Sequence, residues 1–94
     1  MLTFMIEREI PGASKLTHDE LCGITDTSND VVAGLDRPHE WCHSYVAGDK
    51  IYCVHQAETA EDALEHAHRG GFPANLVAEI TACFDSTGPR ALPV

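Results

Sequence analysis

The sequence predicts an α+β fold in which two helices cover one face of a four-stranded antiparallel sheet. Three observations predict it. Residues 2–8 and 76–84 alternate between two sets of side chains as strands do, and residues 41–55 read as a β-hairpin. Two stretches with apolar or small side chains at helical spacing separate these strands. A chain of 94 residues accommodates one domain, which we assign to residues 1–85, with 86–94 as a C-terminal loop or arm.

The central hairpin fixes the register of the predicted sheet. Gly48 can supply the positive φ that the first central position of a type II′ turn requires. A two-residue loop then places Ala47 opposite Lys50 and, at the far end of the hairpin, Cys42 opposite His55. Since strand side chains alternate between faces, a change of one residue in this pairing would move side chains to the other face of the sheet.

Both helices carry start or stop signals in the sequence. Thr17 and Glu20 form a capping-box pattern before the first helix. Thr59 begins the second helix, and Gly70 and Gly71 end it. The resulting order of elements, βαββαβ, is the ferredoxin-like arrangement.

The alternation also predicts which strand side chains the helices leave uncovered. This helix-free face holds three aromatic side chains and several titratable groups: Met5, Glu7, Trp41, His43, Tyr45, Tyr52, Val54, Glu79 and Thr81. A surface of this composition is seldom left bare to solvent. We therefore expect a homodimer that closes face to face into a dimeric α/β barrel, or a ligand bound on this face.

Charge and cysteine content exclude several classes of partner. The chain has 6 Lys and Arg against 15 Asp and Glu, a net charge of -9, which repels nucleic acids and anionic membranes. The apolar N-terminal stretch ends at residues 7–9, too early for a signal peptide or a membrane span. Four cysteines without a Cys-x-x-Cys pair are expected to be reduced thiols. We expect a cytoplasmic protein that binds neither nucleic acid nor membrane.

The candidate site combines four side chains of the helix-free face: Glu7, His43, Tyr45 and Glu79. A neutral imidazole with two carboxylates is a suitable ligand set for a divalent metal ion. The same groups suit acid–base catalysis once burial shifts their pKa values. A polar interface in which these groups satisfy one another is an equal alternative.

Two functions follow from this site. The first is a small divalent-metal-binding homodimer whose metal lies on the helix-free face. The second is a dimeric α/β-barrel enzyme that acts on a small organic substrate, with His43 or Glu7 as base and Tyr45 as proton donor. Trp41, Tyr45 and Tyr52 would line its cavity. An interaction domain without a small ligand is a third possibility.

The other histidines receive a plainer interpretation. His39-Glu40-x-x-His43 matches the zinc-protease pattern, which needs both histidines on one turn of a helix. Strand-forming residues follow it, so the sequence does not predict a zinc protease. His18, His39 and His68 are expected to be partly exposed.

Three segments resemble a known family. They are residues 6–12 (IEREIPG), residues 41–54 (W-x-H-S-Y-V-x-x-D-K-I-Y-C-V) and residues 65–74 (EHAHRGGFPA). They are similar to a small bacterial family, long classed as a domain of unknown function, that includes nickel-binding ferredoxin-like dimers. The similarity covers nearly the whole chain.

The resemblance implies a ferredoxin-like homodimer that binds a divalent metal ion, with nickel as one candidate, through histidine and carboxylate groups. It marks as recurring family positions Glu7, His43, Tyr45, Cys53, His66 and Phe72. It therefore adds His66 to the expected metal ligands His43, Glu7 and Glu79.

Overall fold

The structure is a computed structural model and describes residues 1–93. Its main sheet is antiparallel and has the strand order β2-β3-β1-β4. Its strands are β1 (Leu2–Glu9), β2 (His39–Ala47), β3 (Lys50–Ala57) and β4 (Leu76–Glu79). Helix α1 (His18–Gly34) lies between β1 and β2, and α2 (Ala60–Gly70) between β3 and β4. The predicted α+β, ferredoxin-like order of elements is confirmed.

The predicted helix signals act as expected. The Thr17 side chain accepts a hydrogen bond from the Glu20 amide, and the Glu20 carboxylate accepts one from the Thr17 amide, which completes a capping box. Thr59 accepts a hydrogen bond from the Asp62 amide at the start of α2. Gly71 follows α2 in the left-handed conformation, with φ 69°.

The hairpin follows the predicted register over its first part. Gly48, at the first central position of the turn, has φ 60°, the sign that a type II′ turn requires there. Asp49, at the second position, does not have a positive φ, which also fits this turn type. Ala47 pairs with Lys50, and the register continues to the pair of His43 and Val54. Beyond that pair, β2 contains a bulge between Trp41 and His43.

The bulge corrects one prediction. Trp41, and not Cys42, lies opposite His55, because Cys42 is the extra residue. The extra residue reverses the alternation, so Trp41 moves from the predicted helix-free face to the helix-covered face. Its indole Nε1 there donates a hydrogen bond to Ser44 Oγ at 2.9 Å.

The last strand is shorter than predicted and faces the other way. β4 covers residues 76–79 instead of 76–84, and residues 83–90 form a separate two-stranded hairpin, β5 (Cys83–Asp85) with β6 (Gly88–Arg90). Val77 lies opposite Ile6 and Glu79 lies opposite Phe4. Both partners are core residues of the helix-covered face, so the prediction that Glu79 shares a face with Glu7 is wrong. Apolar side chains occupy both alternate sets in 76–84, and the pattern therefore could not select a face.

The core lies between the sheet and the two helices. Its buried members are Phe4, Ile6, Ala13, Ile51, Cys53, Ala57 and Ala63. Small side chains on the face of α2 that meets the sheet let this helix approach closely, and Ala63 and Ala67 are buried there. Among residues 1–93, no helix is both long and apolar enough to span a lipid bilayer.

Candidate metal centre

Three histidines from three elements meet inside the helix-covered side of the molecule. His39 begins β2, His55 lies in β3, and His66 lies on α2 between the buried residues Ala63 and Ala67. One ring nitrogen from each histidine lies within 4.8 Å of the other two. His55 and His66 are each 1% exposed, and His39 is half-buried. We call these residues the histidine cluster.

The hydrogen bonds of the histidine cluster are incomplete. His39 Nε2 and His55 Nδ1 are 2.7 Å apart, and His66 Nε2 is 3.1 Å from Ser28 Oγ. The other ring nitrogens of His39 and His66, both Nδ1, are buried without a hydrogen-bond partner. Buried polar atoms are nearly always bonded, so two such atoms in one cluster indicate a missing partner.

The rings pack closely and would have to adjust before they shared an ion. His39 stacks on His66 with ring centroids 4.9 Å apart and an interplanar angle of 13°. Metal–nitrogen bonds of about 2 Å hold two ligand nitrogens roughly 3 to 3.4 Å apart. His39 Nε2 and His55 Nδ1, 2.7 Å apart, are closer than that. The rings of His39 and His66 are stacked, so their nitrogen lone pairs lie in nearly parallel planes and do not point at one ion. A shared ion therefore requires the His39 ring to tilt and its Nε2 to move away from His55 Nδ1 by less than about 1 Å.

Burial keeps the cluster uncharged. It lowers the pKa of His55 to about 2, with further lowering by His66, His39 and the Arg8 guanidinium. Burial is also the main cause that lowers the pKa of His66 to about 4. The pKa of His39 is lowered for the same reason, against the opposing effect of Asp62. All three imidazoles are therefore neutral at pH 7, the form in which histidine binds a metal.

Two cavities flank the histidine cluster. The larger has a volume of about 300 Å³, lies between the helices and the sheet, and includes His55 and His66 in its wall. The smaller has a volume of about 190 Å³ and includes His39. Its remaining wall is mostly charged and is made by Leu35, Asp36, Arg37, Asp62, Glu65 and Arg69. The cluster thus separates an apolar cavity from a polar one.

The residues predicted as metal ligands are dispersed in the structure. His66 belongs to the histidine cluster. His43 lies on the helix-free face, where its ring packs edge-on against Tyr45 at 5.2 Å. Glu7 accepts a hydrogen bond from Lys50 on the same face. Glu79 is exposed at the end of β4. Within residues 1–93, the histidine cluster is the one group of three or more metal-binding side chains close enough to share an ion.

The predicted aromatic lining is divided between the two faces. Trp41 lines the larger cavity on the helix-covered side. Tyr45, 60% exposed, lies opposite Tyr52 on the other face. The cavity that these three residues were expected to share therefore does not form within residues 1–93 of a single chain.

His39 and His55 were not predicted as metal ligands from the sequence. His55 carried a usable signal, because it alternates with Ile51 and Cys53 and so had to face the helices. His39 carried none, because the bulge that brings it to the same face of the sheet as His55 has no clear mark in the sequence. The zinc-protease pattern is not realised as a helix, since His39 and His43 lie on a strand.

Comparisons with known proteins agree with this fold. A search of curated proteins finds no match. The structure is similar to the crystal structure of SCO4226 from Streptomyces coelicolor A3(2), with a TM-score of 0.70 and 23% sequence identity, over 84% of this chain and 95% of that one. A family model described as nickel responsive protein SCO4226-like matches residues 4–80. The chain therefore belongs to the SCO4226-like family of nickel-responsive proteins.

Proposed function

We propose that this protein binds a divalent metal ion through the histidine cluster. The observation that carries the proposal is the meeting of three ring nitrogens, one each from His39, His55 and His66, within 4.8 Å of one another. The buried Nδ1 atoms of His39 and His66, which have no hydrogen-bond partner, support it. A divalent metal ion is a partner that neutral imidazoles can share through their lone pairs.

The surroundings of His66 fit a ligand role. Ser28 Oγ lies 3.1 Å from His66 Nε2 and can accept a hydrogen bond from its N–H, which leaves the lone pair of Nδ1 free. Metal-binding histidines commonly use the second nitrogen in this way, because such a bond fixes both the tautomer and the ring orientation. Phe72, whose ring lies 5.8 Å from that of His66, limits the movement of the imidazole.

The smaller cavity offers a route for a cation. Its wall has three carboxylates, Asp36, Asp62 and Glu65, and two guanidinium groups, which pair with Asp62 and Glu65. The wall therefore keeps a net negative charge beside His39, and an acidic chain attracts cations to such an opening. Imidazole ligands without thiolate or carboxylate suit nickel, zinc and copper in preference to magnesium or calcium. Nickel, named in the description of the family, is the ion we propose first.

We further propose that the protein is a homodimer that uses the helix-free face. Large side chains on this face are exposed, with Tyr45 at 60% and Leu76 at 51%. A two-fold contact across it would cover these side chains and would bring second copies of Glu7 and His43 nearby. Sedimentation equilibrium tests the dimer, and a monomer at micromolar concentration would contradict it.

We also propose a cytoplasmic location, because all four cysteines are free thiols.

Equilibrium dialysis against nickel, zinc and copper, followed by elemental analysis, tests the metal site. We expect about one ion per chain in the wild type and a loss of binding in His66→Ala. His68→Ala is the matched control, because His68 is an exposed histidine on the same helix. Unchanged uptake by His66→Ala, or no stoichiometric uptake by the folded wild type, would contradict the proposal.

A further inference from the structure

We propose that the larger cavity binds a small organic carboxylate, with Arg8 as the residue that holds its anionic group. This inference goes beyond metal binding and does not depend on it. It rests on a buried cation without a counter-ion, placed in the wall of an apolar cavity.

Arg8 carries a charge that has no neighbouring carboxylate in the described part of the chain. It is 3% exposed, and its guanidinium has no carboxylate within 4.0 Å among residues 1–93. Arginine remains protonated in proteins, so burial does not remove this charge. Buried charges are normally paired, and in a chain of net charge -9 the absence of an acidic partner here is unexpected.

The guanidinium is held in a fixed orientation with donor capacity left over. Its Nη1 donates a hydrogen bond to the Pro73 carbonyl oxygen at 2.6 Å, and its Nε donates one to Cys53 Sγ at 3.4 Å. The Phe72 ring covers the guanidinium with its centroid 5.4 Å from Cζ. Nη2 makes no hydrogen bond to any residue in the described part of the chain. A planar guanidinium with free donors is well suited to a carboxylate.

The remaining wall of the cavity selects an organic anion over an inorganic one. It is mainly apolar and includes Leu21, Ile24, Trp41, Val46, Ile51 and Phe72. Such a wall cannot replace the hydration of a phosphate ion on all sides, but it can contact a hydrocarbon or aromatic group. The volume of about 300 Å³ is at the lower end of the range for small-molecule sites. A ligand with one carboxylate and one compact apolar group fits these properties.

Trp41 supplies the readout, because it lines the cavity and is the one tryptophan in the chain. We would titrate metal-free protein with phenylacetate and follow tryptophan fluorescence. We expect a saturable change, and affinity at least about tenfold lower for the neutral analogue 2-phenylethanol, because it lacks the charge-assisted bond to Arg8. Inorganic phosphate should give no saturable change below millimolar concentration.

Arg8→Met removes the charge and keeps a long apolar side chain. We expect it to weaken phenylacetate binding at least about tenfold. Arg37→Met is the matched control, because Arg37 is exposed and pairs with Asp62 outside this cavity. Equal responses to phenylacetate and 2-phenylethanol, a phosphate response as strong as that to phenylacetate, or no saturable change would each overturn the proposal. So would unaltered binding by a folded Arg8→Met. If Arg8→Met does not fold, as circular dichroism would reveal, the comparison of ligands on the wild type decides.

Discussion

On the helix-free face of the sheet, Glu7 pairs with Lys50 and the His43 ring packs against Tyr45. On the helix-covered face, two histidine nitrogens lack a hydrogen-bond partner, and the Arg8 guanidinium lacks a carboxylate partner among residues 1–93. Both faces therefore carry groups that could bind metals or anions. The difference indicates that unmet bonding capacity inside the fold locates a site better than the presence of suitable residue types does.

The largest expected difference between the faces is the effect of acid on the metal-free protein. The folded pKa values of His55 and His66 lie below the ordinary value, so the unfolded chain binds more protons as the pH falls below about 6.5. The folded state then loses stability, by about 4 kcal/mol between pH 7.5 and 5 for these two imidazoles. Urea unfolding at several pH values measures it.

The controls for this acid effect come from both faces. His66→Leu should remove roughly half of this acid-induced loss of stability, because leucine cannot bind a proton in the unfolded state. His43→Asn should leave nearly all of it, since His43 lies outside the cluster. Equal changes in the two variants would end the proposed distinction between the faces.

A metal ion should stabilise the protein through one face only. At a nickel concentration about one hundred times Kd, binding adds about 2.7 kcal/mol, which raises Tm by roughly 10 °C or more in a domain of this size. We expect His39→Asn to lose this increase and His43→Asn, on the same strand, to keep it. Thermal unfolding with and without nickel measures the effect. If His43→Asn lost the increase in Tm and His39→Asn kept it, the metal would bind on the helix-free face instead.

Two glycines allow a test of packing around the cluster. A methyl group at Gly70 would overlap the Phe72 ring, which stacks on His66, so Gly70→Ala should cost about 1–3 kcal/mol. A methyl group at Gly23, inside α1, would meet nothing within 4 Å, so Gly23→Ala should add about 1 kcal/mol. Chemical denaturation of both variants measures these values. If Gly70→Ala were as stable as Gly23→Ala, Phe72 would not be packed as described.

The smallest effect belongs to the ion pair of the helix-free face. Glu7→Gln should change the free energy of unfolding by about 0.2–1 kcal/mol, because the side chains of Glu7 and Lys50 are 20% and 40% exposed. The loss should shrink further in 1 M salt, where exposed charges are screened. A cost above about 2 kcal/mol would contradict this exposure and would place the pair inside the contact of the proposed homodimer.

The order of elements could be predicted because local signals agree with the final fold. The Thr17 capping box, the Gly48 turn and the glycine after α2 each depend on a few neighbouring residues, and all three occur as expected. The faces of β2 and β4 could not be predicted equally well. The bulge at Cys42 is set by the pairing with β3, and the face of Val77 is set by its pairing with β1.

The candidate site could not be predicted in full, because it depends on which face of the sheet the strand side chains occupy. His66 was predicted as a metal ligand from the resemblance to the family, whereas His39 and His55 were not predicted as ligands. The histidines meet because a bulge in one strand, the register of a second strand and the close approach of a helix act together. Sequence separations of 16 and 11 residues hold no periodic signal for such a meeting.

Anomalous diffraction at the nickel absorption edge, on crystals of the nickel-loaded protein, tests the central claim most directly. We predict one strong peak per chain within about 2 Å of ring nitrogens of His39, His55 and His66. A peak beside Glu7 or His43 on the helix-free face, with the histidine cluster still hydrogen-bonded within itself, would contradict the account.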